Sequence, residues 1–183
     1  WSYGDGETSE QCGGSLHEYS DPAVYSVSLS ISGLGGIDSI TKPNYITVYQ
    51  PVSAVFSGTP TSGIAPLTVT YTNQSVGAFD SCLWHFGDGA TSDECIDPSH
   101  EYLSSGVFSA ALTVSGSGGT DTYTQTEYIT VHTPVQAEFG AAPTTGVAPL
   151  MVQYFNNSTG DFDSCDWDFG DGGDSTLTDP IIS

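Results

Sequence analysis

Asp5, Asp88 and Asp171 each lie between two glycines, directly after an aromatic-x-aromatic pair. Asp171 also stands near Asp168 and Asp174, and carboxylates gathered in this way are what a hard cation such as calcium takes as ligands. The spacing is not that of an EF-hand loop. Two readings therefore stand: Asp168, Asp171 and Asp174 as weak calcium candidates, or each aspartate as a turn residue that accepts from its own backbone two positions on. No other cofactor is expected. Asp168-Phe169-Gly170 mimics a kinase motif, but no lysine-bearing strand or catalytic loop accompanies it. No Gly-x-Ser-x-Gly is present, and no His/Asp constellation recurs near a particular serine, so a nucleophile triad has no support and no catalytic residue is expected. His17 and His100 stand two residues before Tyr19 and Tyr102, where packing or hydrogen bonding near a strand end explains them better than titration.

Cysteine and asparagine offer two further chemistries. Cys82 lies two residues before Trp84, and Cys95 follows the next Gly-Asp-Gly. Strand, reversal and return bring the two together, which predicts a Cys82–Cys95 disulfide; closing so short a loop contributes about 3 kcal/mol in the chain-entropy account. Zinc is disfavoured because CxxC spacing and paired histidines are absent. A disulfide implies an oxidising, extracellular or cell-surface setting. Asn73-Gln74-Ser75, Asn156-Asn157-Ser158 and Asn157-Ser158-Thr159 are N-glycosylation acceptors by pattern, so Asn73, Asn156 and Asn157 are candidate glycan sites. Serine and threonine on outward strand positions suit O-glycans and plain solubilisation equally.

These residues are positioned by a repeat. Trp84-His85-Phe86-Gly87-Asp88-Gly89 stands between Trp1-Ser2-Tyr3-Gly4-Asp5-Gly6 and Trp167-Asp168-Phe169-Gly170-Asp171-Gly172, at a constant interval, since 84 − 1 and 167 − 84 are both 83. Aromatic-x-aromatic puts both rings on one face of a strand, and Gly-Asp-Gly turns the chain. The expected core motif is thus Trp1, Trp84, Phe86, Trp167 and Phe169. His17-Glu18-Tyr19 returns as His100-Glu101-Tyr102, and Tyr45-Ile46-Thr47-Val48 as Tyr128-Ile129-Thr130-Val131. A period of this length is domain-sized. With unit boundaries at Pro51 and Pro134, the chain divides into the C-terminal half of a unit (1–50), one complete unit (51–133) and the N-terminal half of another (134–183). The expectation is an excerpt of a longer tandem array, or a protomer whose ends neighbours complete. Cys12 and Cys165 fit either case: the partner of Cys12 would precede Trp1, and the equivalent of Cys95 in the last unit is Thr178. That leaves Cys165 as a thiol or as a partner for Cys12 of another chain.

Alternation supplies the strands. Tyr25, Val27, Leu29 and Ile31 alternate with serines, and Phe108, Ala110, Leu112 and Val114 repeat the pattern. Both sets are expected to face inward. Leu67, Val69 and Tyr71 alternate with threonines. Short strands between turn clusters, with no helical period, predict an all-β fold of sandwiches. The formal net charge is −21 and Lys42 is the only basic residue, so nothing neutralises phosphates and a nucleic-acid partner is excluded. No apolar run approaches the ~20 residues of a membrane span.

The unit resembles the polycystic-kidney-disease (PKD) domain, an immunoglobulin-like β-sandwich. The matching pieces are Gly63-Ile64-Ala65-Pro66-Leu67, the Trp-x-Phe-Gly-Asp-Gly signature, Pro98-Ser99-His100-Glu101-Tyr102, Gly106-Val107-Phe108 and Ile129-Thr130-Val131. The departures are Tyr3 for phenylalanine, the extra cysteines, and the missing downstream half of the last copy. The resemblance implies tandem Ig-like, PKD-type sandwiches. The junctions Val48-Tyr49-Gln50-Pro51-Val52 and His132-Thr133-Pro134-Val135 contain no Gly/Ser slack, and proline restricts the chain on both sides. The product expected is an extended rod: a structural, extracellular, non-enzymatic stalk or filament, with copies of itself as partners and glycans as further ones. The alternative is accessory binding or spacer modules of a secreted hydrolase acting on carbohydrate or protein.

Overall fold

The computed structural model describes residues 1–177, with side chains through residue 173. The described residues hold fourteen β-strands and no helix. In the leading segment, β1 (Ala23–Gly33) and β2 (Gly36–Val48) form a long antiparallel hairpin. The central unit contains β3 (Phe56–Thr59), β4 (Ser62–Ile64), β5 (Leu67–Asn73), β6 (Ser81–His85), β7 (Thr91–Ser92), β8 (Ser99–Tyr102), β9 (Gly106–Gly116) and β10 (Gly119–His132). The trailing segment contributes the pairs β11 (Phe139–Ala142) with β12 (Gln153–Asn156) and β13 (Cys165–Asp168) with β14 (Asp174–Leu177). Thr178 lies outside the described residues, as does the side chain of Asp174.

Among the described residues only the central unit closes into two layers. One sheet runs β4-β10-β9-β6-β7 and the other β3-β5-β8. All pairings are antiparallel except that of β4 with β10. The alternation expected of β5 and β9 holds: Val69, Tyr71, Ala110, Leu112 and Val114 are buried between the sheets. Trp84 and Phe86 enter the same core, with Phe56, Ile129 and Val131. The register of β10 against β9 shifts between Gln125 and Ile129, where Glu127 takes a positive φ and its amide donates to Ser109 Oγ at 3.0 Å. Asn44 repeats this bulge, donating to Ser26 Oγ at the same distance. A bulge re-aims the strand beyond it, here bringing Ile129 and Val131 inward.

The leading hairpin departs from the inward face expected of it. Tyr25 is buried and Val27 and Leu29 are half-buried, but Ile31 is exposed. Its counterpart Val114 is covered because β9 pairs with β6 and faces the β3-β5-β8 sheet. No second sheet packs on β1 and β2 among the described residues. In the trailing segment Phe139, Tyr154, Trp167 and Phe169 line a groove of about 650 Å³. Trp167 is half-buried there and Phe169 exposed.

Candidate functional site

The chemistry-bearing residues gather around the Gly-Asp-Gly turn. Gly87 takes a positive φ, and a Cβ on it would stand 2.4 Å from Ser109 O, so the turn requires glycine there. Asp88 Oδ1 accepts from Ala90 N at 3.0 Å, and His100 Nε2 donates to Asp88 Oδ2 at 2.6 Å. The His100 ring lies flat on Phe86, with centroids 4.2 Å apart, and meets Tyr102 edge-on. Tyr102 donates its hydroxyl to Phe86 O at 2.8 Å and pairs with the Tyr71 hydroxyl at 2.6 Å. Trp84 Nε1 donates to Glu94 O at 2.8 Å. The Trp84, Tyr71 and Tyr102 polar groups are thereby bonded within the fold, as buried polar groups require.

Electrostatics follows from these contacts. Burial opposes ionisation of Asp88, yet the Ala90 amide and His100 outweigh it and hold the carboxyl below the usual carboxylate range. Burial pushes the Tyr71 and Tyr102 hydroxyls up. A neutral tyrosine pair bonded inside a core is a fastening, with no proton to exchange near neutral pH.

The leading segment repeats the clasp: His17 Nε2 to Asp5 Oδ2 at 2.5 Å, Glu7 N to Asp5 Oδ1 at 2.9 Å, Tyr19 Oη to Tyr3 O at 3.0 Å, and His17 stacked on Tyr3 at 3.8 Å. The Glu7 amide leads in lowering Asp5, against some desolvation and with help from His17. In the trailing segment Asp171 Oδ1 accepts from Gly173 N and Asp168 Oδ1 from Gly170 N, each closing its own short turn. Among the described residues no three His, Cys, Asp or Glu side chains converge on a metal position.

Cys82 and Cys95 are joined in a disulfide. Sequence reading missed what holds it: Asn73 Nδ2 donates to Cys95 O at 3.0 Å. It also missed the Tyr71–Tyr102 pair and the bond from Ala54 N to Asp121 Oδ2, 2.8 Å long across 67 residues. The recurrence of His-x-Tyr was the available signal for Tyr102; nothing in the sequence links Ala54 to Asp121. Cys12 is exposed and Cys165 half-buried.

The junctions form a second recurring arrangement. Ala78 N donates to Gln50 O at 3.1 Å, and Asp161 N donates to Thr133 O at 3.2 Å, the same bond one repeat later. Gly77 and Gly160, both at positive φ, sit where a Cβ would collide with Pro51 O and Pro134 O. The hairpin tip Gly118 accepts from Val52 N and donates to Ala78 O. At the second junction Asp161 Oδ2 also accepts from Thr133 N at 3.0 Å and faces His132 Nδ1 at 3.2 Å.

The family model of the PKD domain matches residues 50–131. The PKD1 domain of the Vibrio cholerae metalloprotease PrtV is 35% identical, over 44% of this chain and 96% of that one, with a TM-score of 0.37. The PKD1 domain of Vibrio anguillarum Epp is 31% identical, over 46% of this chain and 99% of that one, with a TM-score of 0.38. A structure described as the basis for promiscuous specificity of carbohydrate-binding modules from the β-sandwich superfamily is 19% identical, over 51% of this chain, with a TM-score of 0.42. The present chain spans 46% of that one. No curated protein matches the sequence.

Proposed function

The chain belongs to the PKD-domain family, and from that premise we propose a structural, non-catalytic role: PKD-type modules in tandem, held as a stiff extracellular spacer of a surface stalk or filament with copies of itself as neighbours. The single observation that carries this is the recurring junction. At both boundaries a loop of the following unit grips the linker by a backbone hydrogen bond, at Ala78–Gln50 and Asp161–Thr133, and a proline follows the gripped residue. Proline fixes φ and restricts the residue before it, so the bonded linker has few torsions left about which to swivel. The clasp serves the same end, since its polar groups bond inward. The high acidic charge keeps such a spacer soluble.

Small-angle X-ray scattering and negative-stain imaging of the intact chain test the proposal. A stiff spacer gives a narrow distribution of angles between modules, and inserting Gly-Ser between Thr133 and Pro134 broadens it. Broad angles in the unaltered protein, or modules folded back on each other, would sink the reading.

A second reading, as accessory modules of a secreted hydrolase, is favoured by the 35% identity to a domain whose name places it in a metalloprotease. A catalytic domain found in the same polypeptide decides for it.

A further inference from the structure

Asn73, Asn156 and Asn157 head equivalent Asn-x-Ser/Thr patterns, but the fold treats them differently. Asn73 is half-buried, with Nδ2 donating to Cys95 O at 3.0 Å and lying 3.8 Å from Cys82 Sγ, while its Oδ1 accepts from Ser75 N at 3.0 Å. Both ends of the amide are committed to fastening the disulfide loop. Asn156, the same position one repeat later, is half-buried in the same turn, its Oδ1 accepting from Ser158 N at 3.0 Å. Asn157 is exposed, just past the end of β12, and its backbone amide donates to Glu138 O at 2.8 Å. That bond fixes the main chain, and the exposed side chain lies at the surface with Nδ2 over Gly140, where a Cβ would meet it at ordinary contact distance. In the central unit Gln74 stands at this position.

We infer that Asn157 is the N-glycan attachment site of this chain, and that Asn73, with Asn156 by its equivalent half-buried place in the repeat, is a structural amide excluded from modification by the folded state. The chemistry requires Nδ2 to displace the phosphate of a lipid-linked sugar pyrophosphate under an oligosaccharyltransferase. The sugar C1–O bond to phosphate breaks, the C1–Nδ2 bond forms, Nδ2 gives up one proton, and the lipid pyrophosphate leaves. A glycan is bulky and hydrophilic and has to reach solvent. At Asn157 it does so directly. At Asn73 it would replace a hydrogen that faces Cys95 O or the Cys82 sulfur, so chains modified there before folding cannot close the turn beside the disulfide. The inference shares with the proposed function only the extracellular setting; its test reads glycan occupancy and is blind to molecular shape.

The test is secretion of the full chain from an N-glycosylating host, then glycan release by a glycoamidase in heavy-oxygen water and peptide mass spectrometry. The heavy-oxygen mark is expected at residue 157 and at neither 73 nor 156. Thr159→Ala removes only the Asn157 triplet and touches a residue bonded to Gln136 through the backbone; it should abolish the mark. Asn157→Gln should do the same without moving the unfolding midpoint, which covers the case in which Thr159→Ala fails to fold. A mark on Asn73 or Asn156 in folded, secreted protein overturns the inference. So does an unmarked Asn157 when a control glycoprotein from the same cells is modified.

Discussion

The same motif stands in three settings in this molecule: the central one buries both of its rings, Trp84 and Phe86, the leading one buries Tyr3 and half-buries Trp1, and the trailing one half-buries Trp167 and exposes Phe169. Phe86 is 2% exposed and Phe169 37%; Phe56 is 3% exposed and its repeat counterpart Phe139 62%; Val114 is fully buried and Ile31 59% exposed. The short-range chemistry is unchanged between settings, since the aspartate turn closes at residues 5, 88 and 171, and the histidine clasp forms at both Asp5 and Asp88. What differs is the company of other strands. Local hydrogen bonds and ring stacking are therefore encoded within about twenty residues, whereas burial, which supplies most of the stability, comes from strands far away in sequence.

That contrast is broken or sharpened most strongly at the tryptophans. Trp84→Ala empties a fully enclosed site and should cost about 3–5 kcal/mol, read as loss of hydrogen-exchange protection across β5, β6 and β9. Trp167→Ala, beside a groove, should cost about 1 kcal/mol, in line with partial burial. Equal losses at the two positions would show that the motif, and not its surroundings, sets the stability.

Next in size is the disulfide. Replacing both Cys82 and Cys95 with alanine should destabilise the central unit by about 2–4 kcal/mol. Reduction with a thiol should lower its unfolding midpoint and leave protection in the β1–β2 hairpin unchanged. A midpoint that ignores reductant would mean that the loop is already held by Asn73 alone.

The strand, the aspartate turn and the core rings of the clasp were legible in the sequence because they are built from neighbours, whereas the bonds from His17 to Asp5 and from His100 to Asp88, each across 12 residues, were not. Aromatic-x-aromatic, Gly-Asp-Gly and His-x-Tyr recur at one interval, and turn chemistry and strand alternation convert that recurrence into a strand, a reversal and a core. The Cys82–Cys95 pairing was legible for the same reason, as strand and return lie next to each other. The exposure of Ile31 was not, since Tyr25-Ser26-Val27-Ser28-Leu29-Ser30-Ile31 alternates as cleanly as any buried strand; alternation reports which face is apolar and is silent on whether another sheet covers it. Nor was the bond from Ala54 to Asp121, whose partners share no local pattern, or the inward commitment of Asn73, whose triplet matches a surface sequon.

The hydroxyl pair gives a smaller, sharper comparison. Tyr102→Phe removes the bonds to Phe86 O and to Tyr71, leaving buried groups unmatched, and should cost about 1–3 kcal/mol. Tyr19→Phe removes the equivalent bond to Tyr3 O in the less enclosed leading segment and should cost no more than about 1 kcal/mol. Denaturant midpoints with unchanged m-values measure both. A larger effect at Tyr19 would contradict the dependence on enclosure.

The smallest effect concerns charge and tests whether the clasp behaves alike in the two settings. Asp88 and Asp5 both have their carboxyls held below the ordinary range, Asp88 against the opposing pull of burial and Asp5 led by the Glu7 amide. For a carboxylate whose folded pKa lies below its unfolded value, the folded state binds its proton less readily than the unfolded state does. The stabilisation is then whole above the unfolded value, about pH 4, and fades as pH falls through the folded one. Asp88→Asn retains an oxygen able to accept from Ala90 N while deleting both the charge and the acceptor that faces His100 Nε2, so it removes the ionised half of the clasp and keeps the turn. Its unfolding midpoint should sit below that of the parent at neutral pH and converge with it in acid. Asp5→Asn should show the same sign in the leading segment alone. Parallel pH profiles for parent and Asp88→Asn would assign the clasp to ring stacking and backbone geometry, with no part for the ionised carboxylate.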